Sequence, residues 1–112
     1  MAGVDHRLLD RRSLELHRLV ADELRAHPQR LGEVRALLLR WRAALDARTL
    51  PAIEEWLALV DAGLEATLEA ALELGDEGDR RRQSSPLPCL MAPRARWAFL
   101  RAFREAHGSV AS

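Results

Sequence analysis

The side chains of this chain that could act as nucleophiles are few: Ser13, Ser84, Ser85, two serines in the last four residues, and Cys89. A serine nucleophile needs a base within hydrogen-bond reach and a turn that presents its hydroxyl. Ser13 stands where a helix cap is expected, Ser84 and Ser85 sit in a turn-like stretch before Pro86, and none lies in a nucleophile elbow. His6, His17, His27 and His107 form neither the i,i+4 pair of a metal-binding helix nor a set with cysteines, so they read as surface or core-edge residues. Di-metal sites in helical bundles require Glu-x-x-His on two helices, and the sequence has none. Asp22-Glu23 and Glu54-Glu55 are adjacent pairs, which diverge on a helix and read as solvated charge. The glycines are scattered at expected helix ends, without the clustering of a phosphate loop. A lone cysteine can make no internal disulfide and no thiolate zinc site, and Cys89 is expected to be buried or half-buried. The expectation is a protein that is not an enzyme and takes no metal or cofactor.

Arginine supplies the chemistry that remains. All seventeen positive side chains are arginine, and lysine, asparagine and tyrosine are absent, which reads chiefly as the coding bias of a GC-rich bacterial genome. The formal charge is zero but unevenly spread. Residues 1–48 hold ten Arg against seven acids, residues 49–79 hold no Arg against nine acids, and residues 80–112 hold seven Arg against one acid. The segments thus carry +3, −9 and +6. Such blocks either offer separate recognition surfaces or attract each other within the fold. Arg80, Arg81, Arg82, Arg94, Arg96, Arg101 and Arg104, interleaved with Trp97 and Phe99, could neutralise nucleic-acid phosphates. The break before the last helix, however, carries two prolines rather than the tight turn of a helix-turn-helix.

At 112 residues the chain suits one domain. A composition 48% apolar, 30% charged and only 4% aromatic favours helix over strand. No apolar run approaches the ~20 residues that span a bilayer, and Asp5 and Asp10 interrupt any secretory signal, so a cytoplasmic protein with no membrane partner is expected. Ser13 is placed to cap a first helix to about Ala26, with Leu16, Leu19, Val20 and Leu24 as its buried stripe. Pro28 opens a second segment to about Arg48, with Leu31, Val34, Leu38, Trp41 and Leu45 on one face. Thr49 and Pro51 start a third helix bearing Ile53, Trp56, Leu57 and Val60, which stops at Gly63. A fourth helix continues on Leu64, Leu68, Ala71 and Leu72, with Glu65, Glu69 and Glu73 at four-residue steps on another face, until Gly75 and Gly78. Residues 79–85 fit a short helix or a loop, and Pro86-Leu87-Pro88 predicts extended backbone. Pro93 opens a last helix to about His107, with Trp97, Leu100 and Phe103 read as core and Gly108 as its cap. The whole is expected to be all-α, a small irregular bundle of five or six short helices over residues 1–108, with a disordered tail at 109–112.

Three segments carry a resemblance: Arg12-Ser13-Leu14-Glu15-Leu16-His17-Arg18, then Arg82-Gln83-Ser84-Ser85-Pro86 with Leu90, then Arg96-Trp97-Ala98-Phe99-Leu100-Arg101. The chain resembles small helical bacterial proteins encoded beside nucleotidyltransferase-like toxins of the abortive-infection type, which are thought to act as antitoxins. The family pattern leads to an aromatic after Ser-Ser-Pro, where this chain has Leu87. The resemblance implies a cognate toxin as partner. Such toxins hold anionic nucleotide or RNA, so their clefts are expected to be basic, and the acidic stretch from Glu54 to Asp79 would cover one. On that reading Glu65, Glu69 and Glu73 face the toxin, with Arg82, Ser84, Ser85, Pro86 and Arg101 as further partner-binding candidates. An arginine-mediated DNA-binding or autoregulatory protein is the second reading, and a homo-oligomer joined through Trp41 or Trp56 is the third.

Overall fold

The computed structural model describes residues 6–44 and 46–108. Among them are six α-helices and no strand: α1 (His6–Ala26), α2 (Leu31–Ala44), α3 (Leu50–Ala62), α4 (Leu64–Leu72), α5 (Asp76–Gln83) and α6 (Pro93–His107). Two 3₁₀ turns, Pro28–Arg30 and Leu87–Leu90, precede α2 and α6. The expected bundle is therefore the fold observed, while the expected tail at 109–112 and Leu45 of the second stripe lie outside the described residues. No described helix is long and apolar enough to cross a membrane.

Four helices and one turn build the core. Val20, Ala21 and Leu24 of α1 meet Val34 and Leu38 of α2, then Ile53, Trp56, Leu57 and Val60 of α3, then Leu68, Ala70 and Ala71 of α4, with Leu87 and Leu90 closing one end. Helix α1 lies against α4, α5 and the second 3₁₀ turn, α2 against α3, and α3 against α4. Helix α6 stands at the edge of this arrangement and buries Phe103.

Several boundaries differ from expectation for local reasons. Helix α1 begins at His6, so Ser13 is an interior residue whose carbonyl receives the His17 Nδ1–H at 2.7 Å. Leu19 is 44% exposed because the buried face of α1 runs through Leu16, His17, Val20, Ala21 and Leu24, and Leu19 falls outside it. Helix α2 gives way by Asp46, whose carboxylate accepts the Arg48 N–H at 3.0 Å and whose carbonyl accepts the Thr49 hydroxyl at 2.9 Å. Thr49 thus turns its side chain back to Asp46 rather than capping α3. Gly63, at φ 122°, ends α3 and starts α4, and the buried Thr67 hydroxyl reaches back 3.1 Å to the Leu59 carbonyl.

Helix α4 stops at Leu72, and Glu73 is extended at φ −62° and ψ 134°, so Glu73 is not on the helical row of Glu65 and Glu69. Residues 76–83 form a helix with Asp76, Glu77 and Asp79 in its first turn and Arg80, Arg81 and Arg82 in its last, the order that the helix dipole favours. Pro86 is followed by a 3₁₀ turn instead of extended backbone. The Cys89 N–H donates to the Pro86 carbonyl at 3.1 Å, and the Leu87 N–H donates to the Ser85 Oγ at 3.1 Å. Cys89 is exposed on that turn rather than buried.

A buried arginine ties α4 to α5. The Arg82 side chain is 1% exposed, and its Nη1 donates to the Ala71 carbonyl at 2.9 Å and to the Glu73 carbonyl at 2.7 Å, while Nη2 meets the Asp79 carboxylate at 2.6 Å. The last carbonyls of a helix have no partner within it, so this guanidinium completes the end of α4 from another helix. Gly78 makes the approach feasible: a Cβ there would overlap the Glu73 carbonyl and lie 3.2 Å from Arg82 Nη1. Trp56, 1% exposed, adds a second tie by donating its Nε1–H to the Arg81 carbonyl at 3.1 Å. Replacing Gly78 with alanine should cost about 2–3 kcal/mol of stability through overpacking. Arg82→Met, which leaves two carbonyls and Asp79 without their donor, should cost about 3 kcal/mol or more. Urea melts test both, and an Arg82→Met midpoint equal to that of the parent would refute the role given to this side chain.

Candidate functional site

Three segments far apart in sequence meet at one cavity. Helix α1 contributes Arg12, Ser13, Leu16 and His17, the end of α5 and the following turn contribute Arg82, Gln83, Ser85 and Pro86, and α6 contributes Arg96 and Leu100. Leu37 and Trp41 of α2 form a further wall, and the cavity volume is about 590 Å³. Helical spacing produces the α1 lining, since residues 9, 12, 13 and 16 share one face of a helix.

Two buried polar atoms among these residues have no hydrogen-bond partner: His17 Nε2 and Arg82 Nε. A carbonyl oxygen can only accept, so the bond to Ser13 places the proton of the neutral His17 ring on Nδ1 and leaves Nε2 as a lone-pair acceptor. Arg82 Nε–H is a donor. Burial lowers the His17 pKa from 6.5 to about 4, the Ser13 hydrogen bond opposes that shift, and the Arg82 charge reinforces it. Arg12 is half-buried, Arg96 is exposed, and neither has a carboxylate partner among the described residues. His17 was expected at the surface or core edge, and its place inside follows from the α1 face that it shares with Val20, Ala21 and Leu24.

A second surface lies on α6. Trp97, expected in the core, is 68% exposed because the inward face of α6 runs through Phe99, Leu100 and Phe103 instead. On the outward face Arg94, Arg101 and Arg104 fall three residues before, four after and seven after Trp97, so all four share a stripe. None of these arginines is ion-paired among the described residues.

The other candidate residues are dispersed. Glu65 and Glu69 are exposed on α4 without ion pairs among the described residues, and Glu69 flanks a shallow groove of about 530 Å³ with Glu73. Glu73 is already bonded to Arg81. Arg82 and Pro86 are buried, Ser85 is half-buried as an acceptor within its own turn, and Ser84 and Arg101 are exposed. Trp56 is interior and Trp41 half-buried, so neither is the tryptophan that the surface presents. Most of the acidic stretch is neutralised internally: Glu54 pairs with Arg42, Glu55 with Arg80 and Arg81, Asp61 with Arg35, Glu77 with Arg80 and Asp79 with Arg82. The Arg80 and Arg81 guanidinium groups hold the Glu55 carboxyl below its ordinary range. No group of three His, Cys, Asp or Glu suited to a metal ion occurs among the described residues. The orphaned His17 and Arg82 atoms carry no periodic signal in the sequence, although a histidine on an apolar row was a legible hint.

No family model, curated protein or solved structure matches this chain.

The depressed His17 pKa has a sign that can be tested. Above pH 6.5 the imidazole is neutral in both folded and unfolded chains; as pH falls toward 4, only the unfolded chain takes up the proton. Stability should therefore decline by about 3 kcal/mol across that window. Glu33 and Glu55, held below 4.5 by their arginines, add their loss only below that pH. Melting temperatures between pH 7 and 4.5 should fall for the parent and stay flatter for His17→Leu. Parallel curves would show that a buried neutral His17 is not the cause.

Proposed function

We propose that this chain acts by binding another protein, in the manner of an antitoxin that masks a nucleotidyltransferase-type toxin, with α6 as its principal contact. The observation that carries a protein partner is Trp97, 68% exposed between arginines that have no carboxylate partner among the described residues. Tryptophan and arginine dominate the energetic centres of protein interfaces, because each brings a large contact area and directed polar contacts. Resemblance of the three segments supports the antitoxin type, and a complex of that kind would form in the bacterial cytoplasm.

Glu65 and Glu69 supply the second element. They would meet the basic cleft expected of an enzyme that holds anionic substrate, and occlude it sterically and electrostatically. Glu73, bonded to Arg81, is left to the fold rather than to the partner. Such charge pairs accelerate association more than they add affinity, so the buried apolar centre at Trp97 sets the residence time.

Co-expression with the product of the adjacent gene tests this reading. The two chains should co-purify, and growth arrest caused by the neighbour alone should be relieved. Trp97→Ala should weaken the complex about 30-fold. Reversing Glu65 and Glu69 to arginine should slow association about tenfold at low salt and leave dissociation nearly unchanged. A folded chain that neither binds nor relieves would overturn the proposal.

A second reading, nucleic-acid binding, is favoured by one observation: Arg94, Arg96, Arg101 and Arg104 all lack ion pairs among the described residues and surround an aromatic able to stack on a base. It predicts oligonucleotide binding whose logarithm falls with the logarithm of salt at a slope of about −3 to −4, for three to four phosphate contacts. A flat salt series would remove it. The exposed Glu65 and Glu69 disfavour a polyanion, and a protein surface can complement both signs.

A further inference from the structure

Among the described residues, two surfaces of this chain carry unpaired charge of opposite sign, and they lie on different elements. Helix α6 holds four arginines against one acid, Glu105, whereas α4 holds Glu65 and Glu69 and no basic residue. We infer that the α6 stripe around Trp97 docks into the acidic groove beside α4 on a second copy of this chain, so that the protein associates head to tail. The inference does not rest on the protein-partner reading, since it concerns the chain with no other protein present.

The groove offers what this occupant needs. Leu59 of α3 with Ala66, Ala70 and Leu72 of α4 gives it an apolar lining, and its volume is about 530 Å³. Glu69 lines it as well, and Glu65 precedes Glu69 by one turn on the same face. Arg81 and Glu73 complete the lining but are bonded to each other, and Glu55 also holds Arg81, so the charge left for an occupant is that of Glu65 and Glu69. Leu74, the residue after Glu73, is 70% exposed.

The α6 stripe is the complement. Arg94, Arg101 and Arg104 flank Trp97 without ion pairs among the described residues, and Glu105 offsets one of them, which leaves two positive charges to meet two negative ones. Guanidinium groups pair with carboxylates through parallel N–H donors. Trp97 and Leu74 are the most exposed large apolar side chains among the described residues, and one contact at the groove can take both from water. Pairing α6 with a second α6, or α4 with a second α4, would instead set like charges against each other. No residue of α6 lines the groove, so the two surfaces do not cover each other within one chain. Each copy bears one of each, so the contact repeats from copy to copy unless the rotation closes a ring. Any partner that engages the same side chains competes with it.

Sedimentation equilibrium of the full chain tests this. At low salt the mass should exceed 12.6 kDa and rise with concentration, then fall back toward that value as salt screens the charges. Trp97→Ala should weaken association about 30-fold. Glu65→Arg with Glu69→Arg in one chain, and Arg101→Glu with Arg104→Glu in another, should each abolish it; all five positions are exposed, and circular dichroism checks the folding. The first variant is basic on both surfaces and the second acidic on both, so a mixture of the two should regain association through alternating copies. A mass of 12.6 kDa at every concentration up to about 1 mM overturns the inference. Association that survives either double reversal, or a mixture that stays monomeric, overturns it equally. Capture of the adjacent gene's product by a chain that stays monomeric would sink this inference alone, and self-association without capture would sink the partner reading alone.

Discussion

A guanidinium taken out of water must be matched by acceptors on nearly every side, or burying it costs more than the fold can recover. Arg82 meets that condition through the Ala71 and Glu73 carbonyls and the Asp79 carboxylate, and the geometry of this protein follows from satisfying it. Helix α4 can end after only nine residues because its terminal carbonyls find a donor. Helix α5, mostly charged and short, is held in place by that same side chain and by the Trp56 bond to Arg81. The 3₁₀ turn that follows can then seat Leu87 and Leu90 in the core. Gly78 is the steric condition for all of this, since any side chain there would occupy the path between the two helices.

The uneven charge along the chain is largely an internal matter. The acidic stretch meets Arg35 and Arg42 of α2 and the three arginines of α5, so its most acidic helices are neutralised by neighbours rather than kept for a partner. Isolated exposed pairs of this kind add little stability, but the cluster of Glu55, Glu73, Glu77, Arg80 and Arg81 orients α5 against α3 and α4. Among the described residues, Glu65 and Glu69 on α4 and the arginines of α6 are charges that no ion pair engages.

Helix α6 and the cavity beneath it share residues with different orientations. Arg96 and Leu100 line the cavity, while Trp97, Arg101 and Arg104 lie on the outward face. One helix at the edge of the bundle therefore contributes to a half-open cavity and to an open surface.

Helical periodicity and the glycine and proline punctuation sufficed to establish an all-α bundle, the faces of α2 and α3 that enter the core, and the stops at Gly63 and Gly108. These are local matters, because a row of apolar residues at three-and-four spacing has one way to hide from water. Local rules failed where distant segments compete for the same groups. Ser13 read as a cap because nothing local revealed that Leu8 and Leu9 extend α1, and Trp97 read as core because helix α6 alone cannot say which of two apolar edges finds a neighbour. Arg82 read as a surface cation because only the arrival of the α4 carbonyls makes an interior arginine tolerable. The pairing of acidic and basic blocks was legible as an attraction, but not as α5 folding onto α3 and α4. Likewise the cavity required segments around residues 12–17, 82–86 and 96–100 to converge, which depends on how six helices pack and on no spacing within any one of them.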